Sequence, residues 1–496
     1  MTKYQITFAD EQLNILAEEG KTILQVQIDA GLTPDAFCGG NGKCGKCKVR
    51  IDGKEVLACQ TVIDRAMTVY TGHSTAEKTQ ILSHGNTEKF SFMPGELPGN
   101  PESALLGAVD VGSTSVVAYL MDGKDGKLLG TRSALNPQRQ FGADVVSRCS
   151  YALNNGSEGL SSCIRRTVNT LFREITRECG RAPEEIVRIV MVGNSCMHHL
   201  FLGLSTKTLA LAPYTPVVTE AMELKASEYG LHVHPLAQLW WLPNIGGFVG
   251  ADTVGCLLAS DLDTCDEITL LVDIGTNGEL VLGNKEGLIS CSTAAGPAFE
   301  GAKITCGMRG SAGAIDHVAL ENGEIKCHVI GNQEAVGICG SGLLDGVAAL
   351  LKLGRIDETG KLEDTFYFTD KVFLNQRDIR ELQLAKAAIA AGIRILCEKR
   401  GIQVTDIHRV LIAGAFGNYL DPSSACAIGM LPPELEGRIS SIGNAAGEGA
   451  RMAALSRKQF ERSRILAEKT EFAELALDAG FQDVYVDEMW FPEEDM

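Results

Sequence analysis

Apolar and polar residues alternate through Lys3-Tyr-Gln-Ile-Thr-Phe8, the period of two expected of a strand with one buried face. The pattern changes over Thr22-Ile-Leu-Gln-Val-Gln-Ile-Asp-Ala30, where apolar residues at 23, 26 and 30 lean towards a short helix capped by Thr22. Strand and turn character returns in Lys48-Val-Arg-Ile-Asp-Gly53 and in Thr68–Thr71, so a small α+β unit is expected over residues 1–75. Between Thr75 and Ser103 the periodicity gives way to Gly, Pro, Ser, Asn and charge, with Pro94-Gly-Glu-Leu-Pro98 among them. Residues 76–104 are therefore expected to form a linker.

Beyond the linker one pattern occurs twice. Leu105-Leu-Gly-Ala-Val-Asp110-Val-Gly112-Ser113-Thr114-Ser is an apolar strand running into an Asp, a glycine turn and hydroxyls, with a second strand at Val116–Met121. Ile268-Thr-Leu-Leu-Val-Asp273-Ile-Gly275-Thr276-Asn277-Gly278-Glu279 repeats it ahead of Leu280-Val-Leu-Gly283. Downstream of the first hairpin come a helical segment, Ser161–Cys179, then Pro183-Glu-Glu-Ile186 and the strand Arg188-Ile-Val-Met-Val-Gly193-Asn194. The second is followed by Arg380–Arg400, Asp406-Ile407 and Arg409-Val-Leu-Ile-Ala-Gly414-Ala-Phe-Gly417-Asn418. Repetition at this scale predicts two related α/β halves, about 105–262 and 263–490, with a ligand cleft beyond the carboxyl ends of the strands.

Length and composition set limits. The 496 residues suffice for about three domains, and 45% hydrophobic residues can build large cores. The sequence has no stretch of 18 uncharged apolar residues and no signal-peptide core after Met1, so a soluble cytoplasmic protein with no membrane partner is expected. Sixteen cysteines in such a compartment are expected to be reduced. A formal charge of −18 argues against nucleic acid as a partner.

Four of the cysteines stand out. Cys38, Cys44, Cys47 and Cys59 are spaced C-x5-C-x2-C-x11-C, close to the plant-type ferredoxin order of three thiolates in one loop and a fourth from a later segment. Glycines at 39, 40, 42 and 45 allow the backbone to wrap inorganic sulfide. A [2Fe-2S] cluster in a ferredoxin-type β-grasp domain is the favoured reading; a structural zinc site and inert cysteines are the alternatives. In the duplicated part, a diphosphate needs amide donors, and a nearby Mg²⁺ needs oxygen ligands with retained waters; the two Asp-x-Gly-[Ser/Thr] hairpins supply both.

The hairpins resemble those of the superfamily that holds acetate kinases, sugar kinases, heat-shock chaperone ATPases and actin. Asp110-Val-Gly-Ser-Thr114 is similar to its first phosphate motif, Asp273-Ile-Gly-Thr276-Asn-Gly to its second, and Ala413-Gly-Ala-Phe-Gly-Asn418 to its adenosine motif. More narrowly, five segments resemble the reductive activators of corrinoid proteins: Asn136-Pro-Gln-Arg-Gln-Phe-Gly-Ala-Asp144-Val-Val-Ser-Arg148, Gly193-Asn-Ser-Cys-Met-His-His199-Leu, Gly296-Pro-Ala-Phe-Glu300-Gly301, Gly337-Ile-Cys-Gly-Ser-Gly342-Leu-Leu-Asp345 and Gly443-Asn-Ala-Ala-Gly447. The similarity covers nearly the whole chain. It implies a [2Fe-2S] domain fused to an ATPase with duplicated actin-like halves, which uses ATP hydrolysis to drive one-electron reduction of a Co(II) corrinoid protein to Co(I). The partners implied are that corrinoid protein of a methyltransferase system and an upstream electron donor, with a homodimer as a candidate assembly. The family pattern carries a further domain between the ferredoxin unit and the ATPase, and here only linker fills that gap.

The resemblance assigns roles residue by residue. Asp110 and Asp273 would hold Mg²⁺ through water, and Gly112, Ser113, Thr114, Gly275, Thr276 and Asn277 would face the phosphates. Gly414, Ala415, Gly417 and Asn418 would pass beside adenine or ribose, and Gly340-Ser341-Gly342 would wrap phosphate or nucleoside at a helix start. Asp252, in Gly247-Phe-Val-Gly-Ala-Asp252, would orient the hydrolytic water unless it is a helix cap, and Glu279 would contact Mg²⁺ or water unless it is an exposed strand residue. His198 and His199 are expected to be packing residues, and Cys291 with Cys306 is the cysteine pair singled out for redox behaviour. A ferredoxin-fused small-molecule kinase, an activator of a radical dehydratase and a nucleotide-binding electron carrier without turnover are the other readings.

Overall fold

The computed structural model describes residues 2–492 apart from 31, 33, 35, 37–39, 41, 43, 44, 46, 72–90, 101 and 418. The N-terminal unit is a five-stranded sheet in the order β2-β1-β5-β3-β4, built from β1 (Lys3–Phe8), β2 (Leu13–Glu18), β3 (Lys48–Ile51), β4 (Lys54–Leu57) and β5 (Met67–Tyr70). Helix α1 (Ile23–Asp29) is capped as expected, with the Thr22 hydroxyl accepting from Gln25 N–H at 3.1 Å. Ile6, Phe8, Ile23, Val26, Val49, Ile51 and Val69 close its core. Strands β2 and β4 escaped the sequence pattern. Leu16 points outward at 70% exposure and spoils the alternation of β2, and β4 is only four residues long.

The remainder forms the two predicted halves. The first holds β6 (Leu105–Val111), β7 (Ser115–Asp122), β8 (Leu128–Leu135), α2 (Val145–Asn155), α3 (Glu158–Glu178), β9 (Ile186–Gly193), α4 (Ser195–Leu202), α5 (Lys207–Ala210), β10 (Met222–Lys225), β11 (Gln238–Trp241) and α6 (Ala251–Ser260). The second holds β12 (Thr269–Ile274), β13 (Gly278–Asn284), β14 (Gly287–Thr293), β15 (Ala314–Glu321), β16 (Glu324–Val329), β17 (Gly337–Ile338), α7 (Gly340–Lys352), β18 (Phe366–Tyr367), β19 (Phe373–Leu374), α8 (Gln376–Arg400), β20 (Arg409–Ala413), α9 (Gly414–Gly417), α10 (Pro422–Ala427), β21 (Ile439–Gly443), α11 (Ala445–Leu455), α12 (Arg457–Lys469), β22 (Thr470–Phe472) and α13 (Phe481–Asp487).

The duplication is explicit in the sheet order. β8-β7-β6-β9-β11 in one sheet matches β14-β13-β12-β20-β21 in the other, with an antiparallel meander first and parallel strands after it. Helices α6 and α11 lie between the sheets in a core that takes Ala108, Val190 and Val192 from one and Leu271, Val281 and Leu411 from the other. They cross with backbones in contact: a Cβ on Gly449 would collide with the Gly255 carbonyl oxygen, and one on Gly255 would stand 2.7 Å from the Ala446 oxygen. Only glycine permits that approach.

The described end of the expected linker, from Ser91 onward, is not free chain. Met93 N–H bonds the Leu455 carbonyl at 3.0 Å, and Arg457 N–H bonds the Met93 carbonyl at 2.9 Å. Arg188, buried in β9, stacks 3.8 Å over Trp240 and donates to the carbonyls of Pro94 (2.5 Å) and Glu96 (3.0 Å) and to the Gln238 side chain (2.9 Å). A Pro-Gly-rich sequence reads as linker, but carbonyl acceptors matched to a buried guanidinium hold it in place. Arg188→Met should strand those carbonyls and cost about 2–4 kcal/mol of stability. The denaturation midpoint should fall and protease should cut within residues 91–98; an unchanged midpoint and cleavage pattern would contradict this account.

Candidate functional site

Asp110 and Asp273 stand one residue before the ends of β6 and β12, and the tips that follow them face each other across a cleft of about 230 Å³. Gly112, Ser113 and Thr114 line it from one tip; Gly275, Thr276 and Asn277 line it from the other. A Cβ on Gly112 would stand 2.8 Å from the Ser115 carbonyl oxygen, so the first tip needs glycine to close. Parallel strands deliver the remaining walls. Asn194 follows β9, Asp252 lies in the first turn of α6, Gly414 follows β20 and Asn444 follows β21. Gly414 has φ +87°, and a Cβ there would stand 2.8 Å from Asp273 Oδ1.

The cleft concentrates negative charge. Asp110, Asp252, Asp273, Glu279 and Glu300 line it, and among the described lining residues none is Lys, Arg or His. Burial pushes Asp110 up to about 7, with Asp273 adding to the shift and the Asn444 amide, which donates to Asp110 Oδ2 at 3.0 Å, opposing it. Burial followed by the charge of Asp273 lifts Asp252 to about 8. Asp273 is raised to about 6 by burial against a weak hydrogen bond from the Cys256 thiol. Glu279 is held well above the usual carboxylate range by burial, Asp252 and Asp273. Arg148, fully buried behind the first tip, donates to the Ser113 carbonyl at 2.6 Å and the Gly142 carbonyl at 2.9 Å. Among the described residues no three His, Cys, Asp or Glu side chains converge closely enough to hold a metal ion directly.

Not every residue picked from the sequence reaches this cleft. Gly340, Ser341 and Gly342 sit one layer behind it at the start of α7. A Cβ on Gly340 would collide with the Phe299 carbonyl, and one on Gly342 with that of Ile315. Those glycines allow close packing, which leaves the same trace in sequence as a phosphate loop. Gly417 likewise packs on Ile412 and does not line the cleft. Ala415 belongs to the short helix α9, and Asn418 lies outside the described residues. Asp252 is not the cap of α6, since Gly250 holds that place, and Glu279 is buried at 9% exposure.

Three polar residues that sequence reasoning left without a role line the cleft. Asn194 donates to Ser113 Oγ at 2.9 Å, Asn444 bonds Asp110 while capping α11, and Glu300 accepts from hydroxyls of both tips. Phe299 and Phe416, with ring centroids 5.4 Å apart, form an aromatic wall. His198 and His199 are packing residues. The first stacks on Trp241 at 4.5 Å; the second bonds the Ser195 carbonyl through Nδ1 and accepts from Val217 N–H through Nε2. No bond joins Cys291 to Cys306 among the described contacts; the close pair is Cys149 and Cys196, with sulfurs 3.2 Å apart.

Of the four spaced cysteines, Cys38 and Cys44 lie outside the described residues, while Cys47 and Cys59 are buried at 4% and 7% exposure. Ala58 N–H bonds the Cys47 carbonyl at 2.8 Å, which brings the two chain segments together. Gly40, Gly42 and Gly45 all have positive φ, and a Cβ on Gly40 would lie 3.8 Å from Cys59 Cβ. Gly40 thus lies beside the later cysteine, and the positive φ of these glycines is the backbone freedom that a thiolate-lined turn uses.

Residues 6–68 match the 2Fe-2S iron-sulfur cluster binding domain, 106–265 the RACo middle region, and 267–496 the C-terminal domain of RACo, the ASKHA domain. The corrinoid activation enzyme RamQ of Eubacterium limosum is 34% identical, over 96% of this chain and 97% of the relative. The chain belongs to the family of reductive activators of corrinoid proteins. A solved structure of a reductive activator for corrinoid, iron-sulfur protein superposes with a TM-score of 0.74 at 30% identity, covering 99% of both chains. The [Co(II) methylated amine-specific corrinoid protein] reductase of Methanosarcina barkeri is 26% identical over 77% of this chain and 76% of its own. The RamQ alignment runs over 581 positions, more than the 496 residues present here, so that relative carries residues this chain lacks. No helix among the described residues is long and apolar enough to cross a membrane.

The raised carboxylates set the pH response of the ligand-free protein. Their folded values, about 6, 7 and 8, lie above the unfolded value near ~4, so the native state binds more protons across that window. Their contribution is complete below about pH 4 and is lost as pH rises through the folded values. The melting temperature of the ATPase transition should fall from about pH 5 to 8, and Asp252→Asn should flatten that fall and raise the melting temperature at pH 8. A steeper fall in the variant would refute the assignment.

Proposed function

We propose that this chain carries out ATP-dependent reductive activation of a corrinoid protein, a one-electron reduction of Co(II) to Co(I) coupled to ATP hydrolysis. The observation that carries this reading is the convergence of two duplicated Asp-x-Gly-[Ser/Thr] tips on one acidic cleft, in a chain whose N-terminal unit matches a 2Fe-2S binding domain. Each tenfold of equilibrium corresponds to about 59 mV for one electron, so an unfavourable transfer to cobalt needs an outside source of free energy.

The donor set fits Mg²⁺. Carboxylates and hydroxyls line the cleft with no cation among the described lining residues, the kind of oxygen set that a Mg²⁺ keeping its waters takes, with Asp110 and Asp273 as outer ligands. Bound there, Mg²⁺ would neutralise phosphate charge. Backbone amides and hydroxyls of Gly112, Ser113, Thr114, Gly275, Thr276 and Asn277 would hold the phosphates, and Gly414 with the Phe299–Phe416 wall would face the nucleoside. Asp252, in the first turn of α6 and close enough to Asp273 to feel its charge, would orient the attacking water. Arg148 would stiffen the first tip from behind. Cys38, Cys44, Cys47 and Cys59 would hold a [2Fe-2S] cluster, which supplies a one-electron donor and is itself refilled by an upstream reductant.

An anaerobic assay of Co(II) corrinoid proteins from the same genome tests the proposal. Co(I) yield should rise with Mg-ATP, and equal yields with and without ATP would end the coupling idea. Asp273→Asn should lower ATPase turnover at least about a hundredfold, in the range seen when a single transition-state contact is removed. The visible spectrum of the cluster should be unchanged. Loss of both would mean that the two sites are not independent.

A further inference from the structure

We propose that Glu300 is an intramolecular competitor for the phosphate site: its carboxylate clamps the two hairpin tips together and is displaced when nucleotide enters. The proposal rests on the assignment of the cleft to ATP.

Thr114 Oγ1 lies 3.0 and 2.8 Å from the two carboxylate oxygens of Glu300, and Thr276 Oγ1 donates to Oε1 at 2.8 Å. The two hydroxyls are 3.4 Å apart although their residues are 162 positions apart in the chain. One carboxylate therefore joins the first half to the second at the point where each offers a hydroxyl. A threonine hydroxyl carries one proton, so it donates to Glu300 or to a phosphate oxygen, never to both at once. Carboxylate and phosphate are the same kind of acceptor to these donors, both anionic and both favouring short hydrogen bonds.

Electrostatics favour the exchange. No lining side chain among the described residues is cationic, so a phosphate that takes the Thr114 and Thr276 hydroxyls competes with Glu300 with no cationic side chain to offset the two anions. The residue rides on the connection between β14 and β15, where Gly296 and Gly301 take positive φ on either side of it. Its neighbour Phe299 stacks on Phe416 of α9, so withdrawal of Glu300 also reaches the aromatic wall.

The test compares the full-length wild type with Glu300→Gln and Glu300→Ala under anaerobic conditions. Mg-ATP affinity is read by calorimetry, turnover by phosphate release, and hydrogen exchange is followed in peptides over residues 112–115 and 275–278. Both variants should bind Mg-ATP about tenfold more tightly, the scale of one charge-assisted hydrogen-bond set removed from competition. Without nucleotide both tips should exchange faster than in the wild type, and saturating Mg-ATP should erase the difference. A merely structural Glu300 would weaken ATP binding when replaced, the opposite sign, and that result overturns the proposal. Unchanged affinity with turnover down a hundredfold would make Glu300 a catalytic group and also overturn it. If Glu300→Ala fails to fold, the isosteric Gln variant still decides the sign. A wild type that binds no Mg-ATP overturns the ATP assignment and the competition with it, while the exchange rates still judge the clamp alone.

Discussion

The contact on which the rest of the fold depends is the crossing of α6 and α11 at Gly255 and Gly449. With no side chain at either position the two helices meet backbone to backbone between the sheets. Each helix begins at the cleft. Asp252 lies in the first turn of α6, and Asn444 caps α11 while it bonds Asp110. A larger residue at the crossing would thrust the helices apart and move both N-termini, and with them two of the polar groups that shape the site. Packing in the middle of the molecule and chemistry at its edge are thus one constraint.

That geometry explains why the acids tolerate one another. Asp110, Asp252, Asp273 and Glu279 are held close with little solvent, and each is driven towards its protonated form chiefly by burial and then, for all but Asp273, by a neighbouring carboxylate. A fold that needed only stability would not gather them. The arrangement makes sense when a cation and an acceptor anion complete it, and it is the kind of local disfavour that functional sites accumulate.

The parts of this design that lie in local sequence were legible there. An Asp, a glycine turn and a hydroxyl at a strand end must be contiguous, so both tips could be found by eye, as could the Thr22 cap and the duplicated order of strands and helices. The partners of those tips could not. Glu300 meets Thr114 across 186 positions and Asn444 meets Asp110 across 334, and neither pairing leaves a periodic trace. Gly340-Ser341-Gly342 is ambiguous in sequence, because glycine needed for close packing cannot be told from glycine needed for a phosphate. Strand β2 was hidden by one outward leucine, and the end of the linker by a composition that said nothing of Arg188 waiting for its carbonyls.

Arg188 also fixes the described segment from Ser91 onward to the body that holds the cleft. Helix α11 starts at Asn444, bonded to the cleft aspartate, and ends at Leu455, whose carbonyl is bonded by Met93 of the segment leading back to the cysteine domain. Eleven helical residues span about 16 Å at 1.5 Å each. That helix packs along β6, β9 and α6. The Gly255–Gly449 crossing lies between its two ends, so the cleft contact at Asn444 and the Met93 contact at Leu455 are held by one helix. Pro94 and Glu96 are bonded to Arg188 of β9, so the chain from Met93 to Glu96 is fastened both to the end of α11 and to the sheet beside it.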